Sequence, residues 1–244
     1  MRATRRILVT LLLVTLVVAL TLWRMTWMAP GWWAPPDPTD ERAAALADGF
    51  EYGLIEQAHK IRPSGEPWHI EVTDRQVNAW LSGRLEAWIA HAHDLHWPPQ
   101  LGAGQLRFET GGISLGLELR EASRSRFIVA RIIPSIVNGE LALSVDRVSL
   151  GRLWIPGGPV QSLLDRLDAA APAGFLDDPK VQATIHLVSG ELRIDPSLTL
   201  TDGRRVRLLD VECGKGTVTV RCETIARRLS RRSGPLPSPK EEQD

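Results

Sequence analysis

The chain has 244 residues and carries 29 basic and 29 acidic side chains, so its formal net charge is zero. Such a balance supplies no broad positive field, which disfavours a nucleic-acid-binding protein. The residues beyond position 39 are enough for one domain with a hydrophobic core, and a second domain is not required.

The chain begins with an apolar segment that predicts a transmembrane helix over residues 7–28. The first seventeen of these, residues 7–23, carry no charge and span roughly 26 Å at about 1.5 Å per residue. Arg24 can reach the interface while its stem stays in lipid, so the span extends to Met28. A cleaved secretory signal is the alternative, because a basic start and an apolar core are typical of both. Tryptophan and proline near the candidate cleavage sites favour the anchor.

Charge and composition place the rest of the chain outside the cytoplasm. Three arginines precede the uncharged residues 7–23, whereas Arg24 is the only arginine between these residues and Arg42, so the positive-inside rule predicts a cytoplasmic N-terminus. Arginine outnumbers lysine 25 to 4, which indicates a GC-rich bacterial genome. The sequence thus predicts a single-pass protein of a bacterial cell membrane, whose N-terminal helix has the bilayer as its partner. Indole rings favour the headgroup region, and four of them form a predicted interfacial belt: Trp23, Trp27, Trp32 and Trp33.

The predicted organisation has five parts. Residues 1–6 form a cytoplasmic N-terminus, 7–28 the transmembrane helix, 29–39 a Trp/Pro-rich linker, 40–225 an extracytoplasmic domain and 226–244 a disordered tail. Helical and two-residue periodicities both occur in the domain, which predicts an α+β fold. We expect a curved, mostly antiparallel β-meander packed with two or three helices.

Helices are predicted on both sides of a short strand. Residues 40–62 carry a helical apolar stripe, and a strand follows over 68–72. Thr73 and Gln76 predict a capping box that starts a second helix, and a third helix is expected over 160–167. The second helix has one uninterrupted apolar face: Val77, Trp80, Leu81, Leu85, Trp88 and Ile89.

Strands with a two-residue period make up most of the remainder. Residues 113–119 alternate between apolar and polar or small side chains, which predicts a strand with one core face and one solvent face. Asn138-Gly139 predicts a type I′ hairpin between the next two strands, because both residues tolerate positive φ. Further strands are predicted over 181–187, 190–194, 198–200, 206–211 and 217–224.

Two cysteines could form a disulfide outside the cytoplasm. If the Lys-Gly pair between them forms a two-residue hairpin loop, Cys213 lies opposite Val218 and Cys222 opposite Leu209. The two thiols then share a face but lie four positions apart, roughly 13 Å, about twice the Cα separation that a disulfide tolerates. This spacing favours free thiols, whereas a longer loop or a bulge would permit the bridge.

Two patterns that suggest chemistry have simpler structural interpretations. Residues 112–116 match the G-x-S-x-G string of serine hydrolases but lie inside an alternating strand, where Ser114 is expected on the solvent face. His91, His93 and His96 have spacings that fit one helical face poorly, so imidazoles near a helix C-terminus are favoured over metal ligands. The sequence therefore predicts a protein that is not an enzyme and uses no cofactor or metal.

Two short motifs carry a family resemblance. Residues 73–78 (TDRQVN) form a Thr-led helix start with an asparagine, and residues 137–141 (VNGEL) form a hairpin that leads to 150–156 (LGRLWIP). Both are similar to the YpmS-type family of membrane-anchored extracytoplasmic proteins of unknown function. The resemblance implies an anchored domain and supplies no catalytic residues to transfer.

The leading functional hypothesis is a groove for a lipid or another apolar ligand. Helices beside an antiparallel sheet resemble extracytoplasmic lipid-binding folds, and such sites are concave and mostly apolar. The alternative for these side chains is that they fill the domain core. The alternative function is a non-enzymatic interaction or scaffold domain at the cell envelope, with an unknown protein partner. The expected groove lies between the second helix and the strands and is lined by Val77, Trp80, Leu81, Ile113, Leu115 and Leu143.

Overall fold

The computed structural model describes residues 2–93, 97–121, 124–156, 192–200 and 202–225. These residues form one long apolar helix, three shorter helices and ten strands. All the described strand pairs are antiparallel. The fold class is therefore α+β, as predicted. The third helix expected over 160–167, the strand expected over 181–187 and the tail at 226–244 lie outside the described residues.

The first helix, α1 (Arg2–Thr26), is apolar and exposed over almost its whole length. Thr4–Thr26 is a 23-residue stretch whose mean hydropathy is 2.3, and none of its apolar part is buried in the protein. A helix of this length rises about 35 Å, so it has the length and composition to cross a bilayer. A signal sequence near an N-terminus has the same properties.

Two helices follow on either side of a strand, and both begin with side-chain caps. In α2 (Glu41–His59), the Asp40 carboxylate accepts a hydrogen bond from the backbone N–H of Arg42 at 3.0 Å. After β1 (Pro67–Thr73) comes α3 (Asp74–Gly83), where Thr73 and Gln76 form the predicted capping box. These caps satisfy N–H groups that have no partner inside the helix.

The prediction of one uninterrupted helix as far as Ile89 was wrong. α3 ends at Gly83, and α4 (Leu85–His93) begins after Arg84, whose φ and ψ are −125° and −27°. Ser82 and Gly83 form a Ser-Gly pair, which is a frequent cause of helix kinks because glycine adds backbone freedom. The Trp88 ring of α4 still packs against the Trp80 ring of α3, with centroids 6.1 Å apart, but Trp88 is 49% exposed.

The strands form two sheets rather than the predicted single meander. The larger, six-stranded sheet has the order β2-β3-β4-β5-β6, and β7 also pairs with β5. From β2 to β6, each strand pairs with the next strand in the sequence, as in a meander. The bounds of its strands are β2 (Leu101–Glu109), β3 (Gly112–Glu121), β4 (Arg124–Val137), β5 (Glu140–Leu150), β6 (Leu153–Ile155) and β7 (Leu192–Ile194).

The smaller sheet joins the two ends of the domain. Its order is β1-β10-β9-β8, with β8 (Ser197–Thr199), β9 (Arg205–Cys213) and β10 (Thr217–Ile225). β1 pairs with β10, so Val72 lies opposite Val218. This pairing between distant segments removes β1 from the meander and explains why two sheets form.

The hairpin turns follow the sequence expectations closely. Asn138 and Gly139 have φ values of 54° and 80°, as a type I′ turn requires. Cys213 lies opposite Val218, as predicted. Cys222, however, lies opposite Leu208 instead of Leu209, because a bulge shifts the register between Arg221 and Cys222. Both cysteines are buried free thiols.

Two small core clusters hold these layers together. Val72, Cys213 and Val218 from the four-stranded sheet pack with Phe108 from β2, so this cluster connects the two sheets. The second cluster lies between α2 and α3 and consists of Ala43, Ala47 and Ala79, with Trp80 packed against it.

Candidate functional site

One face of the six-stranded sheet is made almost entirely of aliphatic side chains. Paired residues of neighbouring strands point to the same side, so the register assigns each position to a face. Leu115 pairs with Ala130, which in turn pairs with Val148, while Leu117 pairs with Ile128. We call this surface the apolar face. Its largest members on the central strands are Leu115, Leu117, Leu119, Ile128, Ile132, Ile136, Leu141, Leu143, Val145, Val148 and Leu150.

The four-stranded sheet covers the end of the apolar face at Ile113 and its β2 partner Phe108. Away from that end, the face is not sealed like a protein core. Leu115 is 43% exposed and Ile128 is 39% exposed, and the other large side chains just named are half-buried. The opposite face of the same strands is better covered, because Phe127 and Val129 are each only 8% exposed. Apolar surface left open on this scale is typical of a ligand-binding or interaction surface.

The opposite face is covered by the segment that follows α1. The Trp33 ring lies edge-on to the Phe127 ring, with centroids 5.1 Å apart. The backbone N–H of Ala34 donates to Oε1 of the buried Gln105 at 2.9 Å. Gly116 provides the space for this contact, since a Cβ there would lie 2.6 Å from the Trp33 ring. The residues predicted as a linker thus pack on the sheet.

This packing reverses the expected exposure of β3. Ser114, predicted on the solvent face, is only 5% exposed, whereas its apolar neighbour Leu115 is 43% exposed. Alternation along the strand is as expected, but the covered side is the one with small and polar residues. The reason is that the tryptophan-rich segment lies over that side. Ser114 sits inside a regular strand, without the sharp strand-to-helix turn that a nucleophilic serine needs.

The end of α1 is fastened to the six-stranded sheet. The backbone N–H of Arg152 donates to the carbonyl oxygen of Met25 at 2.9 Å, and its Nε donates to the Ala29 carbonyl oxygen at 2.8 Å. Gly151 has a φ of 59°, and a Cβ there would lie 2.5 Å from the Met25 oxygen, so the close approach requires glycine. The turn between β5 and β6 therefore abuts the end of α1.

The apolar face consequently begins beside α1 and extends away from it. Leu150 immediately precedes the anchored turn, and Leu141 lies at the other end of β5. Nine residue steps in a strand correspond to roughly 30 Å. This is long enough to accommodate an extended acyl chain.

Three of the six predicted groove residues share the apolar face. Ile113, Leu115 and Leu143 lie on it by register, the last of them opposite Pro134. Sequence analysis missed the β4 contribution, Ile128 and Ile132, although the same two-residue alternation marks these positions.

Of the three predicted helix residues, Val77 meets the apolar face at its covered end, and the other two lie elsewhere. Val77 packs beside Ile113 in the cluster between the sheets. Trp80 packs against the alanines of α2 and α3, and its Nε1 donates to Glu51 at 2.7 Å. Leu81 lines a separate recess of about 330 Å³ together with Leu85. The six residues therefore do not line one groove, because the kinked helix packs on α2 and against the edge of β2.

The titratable groups offer no assembled reactive centre in the described part of the chain. No group of three or more His, Cys, Asp or Glu side chains there could hold a metal ion. His91 is exposed at the end of α4, and His96 lies outside the described residues. Burial raises the pKa of Cys213 and of Cys222, so both thiols remain protonated and unreactive at neutral pH.

No model of a known protein family matches this chain. No curated protein and no solved structure matches it either. The resemblance to the YpmS-type family therefore stays a prediction.

Proposed function

We propose that this protein is a single-pass membrane protein whose extracytoplasmic domain binds a lipid or another apolar ligand along the apolar face. The observation that carries the proposal is a six-stranded sheet with one aliphatic face that is half-buried or exposed and starts beside the apolar helix α1. Burial of an apolar ligand there is favourable by about 25 cal/mol per Å² of apolar surface removed from water. The proposal involves no catalytic step.

The way α1 joins the domain supports its retention as an anchor. Its last turn is hydrogen-bonded to Arg152, and Trp27 stacks under the guanidinium of Arg126, 4.1 Å from the ring centroid. Cleavage of α1 as a signal would remove these contacts. The arginines before the span support a cytoplasmic N-terminus and a domain on the far side. N-terminal sequencing of the mature protein tests retention, and a mature chain that begins after residue 28 would contradict it.

Two exposed aliphatic side chains of the apolar face, Leu115 and Ile128, allow a direct test of ligand binding. Leu115→Gln together with Ile128→Gln makes the apolar face polar at two sites that are already about 40% exposed, so folding should be little affected. We expect labelling of the full chain in nanodiscs by a photoreactive fatty acyl probe to fall about tenfold or more. The matched control is Val137→Gln, which is 38% exposed on the opposite face of β4 and should leave labelling unchanged.

The results also separate this function from an interaction domain. Wild-type protein that takes up no acyl probe, or a double variant labelled as strongly as wild type, would contradict ligand binding. The alternative function is a protein partner that covers the same apolar face. That alternative predicts loss of partner capture in the double variant, with no acyl labelling in any variant.

A further inference from the structure

A second, chemically different recess lies where α1 meets the domain. It has a volume of about 640 Å³. Its α1 side is lined by Leu20, Trp23 and Arg24, and its domain side by Arg124, which begins β4. Leu20 precedes Arg24 by four residues, so the recess runs roughly 6 Å along the helix from apolar to cationic side chains.

Positive charge converges on the cationic end of the recess. The guanidinium carbons of Arg124 and Arg126 lie 5.5 Å and 4.1 Å from the centroid of the Trp27 ring. Arg24 lies in the last turn of α1, and the backbone N–H of Trp27, which follows this helix, donates to the Arg24 carbonyl oxygen at 3.1 Å. Both side chains line the recess. Three arginines are therefore gathered around one indole ring.

No acidic residue is among the described residues that line the recess. The hydroxyl of Ser125 donates to Oε1 of Glu118 at 2.5 Å, and the other Glu118 oxygen lies 3.7 Å from Nε of Arg120. Among the described residues, the charged side chains that line the recess are Arg24 and Arg124. The Ser125 hydroxyl has its proton committed, so Arg24 and Arg124 are the donors available to an anion.

We propose that this recess binds an anionic phospholipid, with its phosphate on Arg24 and Arg124 and its glycerol and acyl chains against Leu20 and Trp23. Arginine suits phosphate because its planar guanidinium can donate two parallel hydrogen bonds. The apolar half of the recess distinguishes a lipid from free phosphate, since a small anion has no use for an indole and a leucine. This inference rests on the proposed anchoring of α1 in a bilayer.

The test uses the full chain in nanodiscs of phosphatidylcholine with one-fifth phosphatidylglycerol, followed by native mass spectrometry of the released protein. We expect wild type to retain phosphatidylglycerol in preference to phosphatidylcholine. An arginine near a charged membrane surface contributes about fivefold in affinity, so Arg24→Gln with Arg124→Gln should lower that preference about 25-fold. Arg24→Lys with Arg124→Lys should keep most of the preference for phosphatidylglycerol, because the charge is retained.

The controls separate the possible failures. Arg221→Gln removes an exposed arginine from the four-stranded sheet and should leave the lipid preference unchanged. Soluble glycerol 3-phosphate in excess should not displace the lipid. Three results would each overturn the headgroup site. Wild type could retain the two lipids equally, or glycerol 3-phosphate could displace the lipid. The phosphatidylglycerol preference of Arg24→Gln with Arg124→Gln could also stay within about threefold of wild type.

Failure of the proposed function has a different signature. Leu115→Gln with Ile128→Gln alters only the apolar face, so it should lose acyl-probe labelling and keep the phosphatidylglycerol adduct. A chain that does not enter nanodiscs at all would contradict the anchor and, with it, this inference. Normal insertion and acyl labelling without a lipid preference would overturn the headgroup site alone.

Discussion

The hydrogen bonds of Asn78 determine how α3 is attached to the six-stranded sheet. Asn78 is 6% exposed. Its Nδ2 donates to the carbonyl oxygen of Leu106 at 2.8 Å, and its Oδ1 accepts from the Leu106 N–H at 2.7 Å. Leu106 lies on β2, which is an edge strand of this sheet. The amide of Asn78 thus replaces a neighbouring strand for both backbone groups of Leu106.

Asn78→Ala removes both hydrogen bonds and leaves two backbone groups without their partner. Each bond contributes about 1 kcal/mol net, and the unpaired groups add a desolvation cost where water does not reach them. The free energy of unfolding should therefore fall by about 2–4 kcal/mol. For a domain of this size the expected decrease in Tm is roughly 5–15 °C.

Urea unfolding of the full chain in detergent, followed by tryptophan fluorescence, measures the loss. The matched control is Ser82→Ala on the same helix, because Ser82 Oγ is buried with no hydrogen-bond partner among the described residues. This control should be neutral or slightly stabilising. A loss below about 0.5 kcal/mol for Asn78→Ala, or equal losses for the two variants, would refute the assigned role.

Three further predictions concern other contacts. Gly116→Leu should displace Trp33 from the sheet and increase acrylamide quenching of the tryptophans, whereas Gly104→Ala, which meets no atom within 4 Å, should not. Cys213 and Cys222 should react with a thiol reagent only after unfolding. Because burial raises the pKa of both thiols, folding favours the protonated form. The stabilisation from burying the protonated thiols should be fully present below the ordinary thiol pKa of about 8.5 and should decline as the pH rises past that value. The decline is measurable as a lower urea midpoint, and a constant midpoint would contradict it. Arg204→Met should cost about 2 kcal/mol in urea unfolding, since Arg204 donates to the carbonyl oxygens of residues 58, 59 and 60 at the end of α2. The exposed neighbour variant Arg205→Met should cost much less, and equal costs would contradict the capping role.

Features that depend only on adjacent residues could be predicted before the fold was known. The capping box at Thr73 and the Asn138-Gly139 turn both formed as predicted, because each is decided within four residues. The position of Cys213 opposite Val218 followed from the loop length alone. The apolar helix α1 was equally evident from composition.

Which surfaces are covered depends on contacts between segments that are far apart in the chain. Alternation placed Leu115 and Ser114 on opposite faces of β3, but the choice of the covered face depended on Trp33, which comes from a distant part of the chain. It also depended on the absence of a side chain at Gly116, which leaves room for the Trp33 ring. The pairing of β1 with β10 and the packing of α3 on α2 are likewise contacts between distant segments. Local periodicity cannot rank such contacts, because their free energy depends on which surfaces meet after the chain has folded.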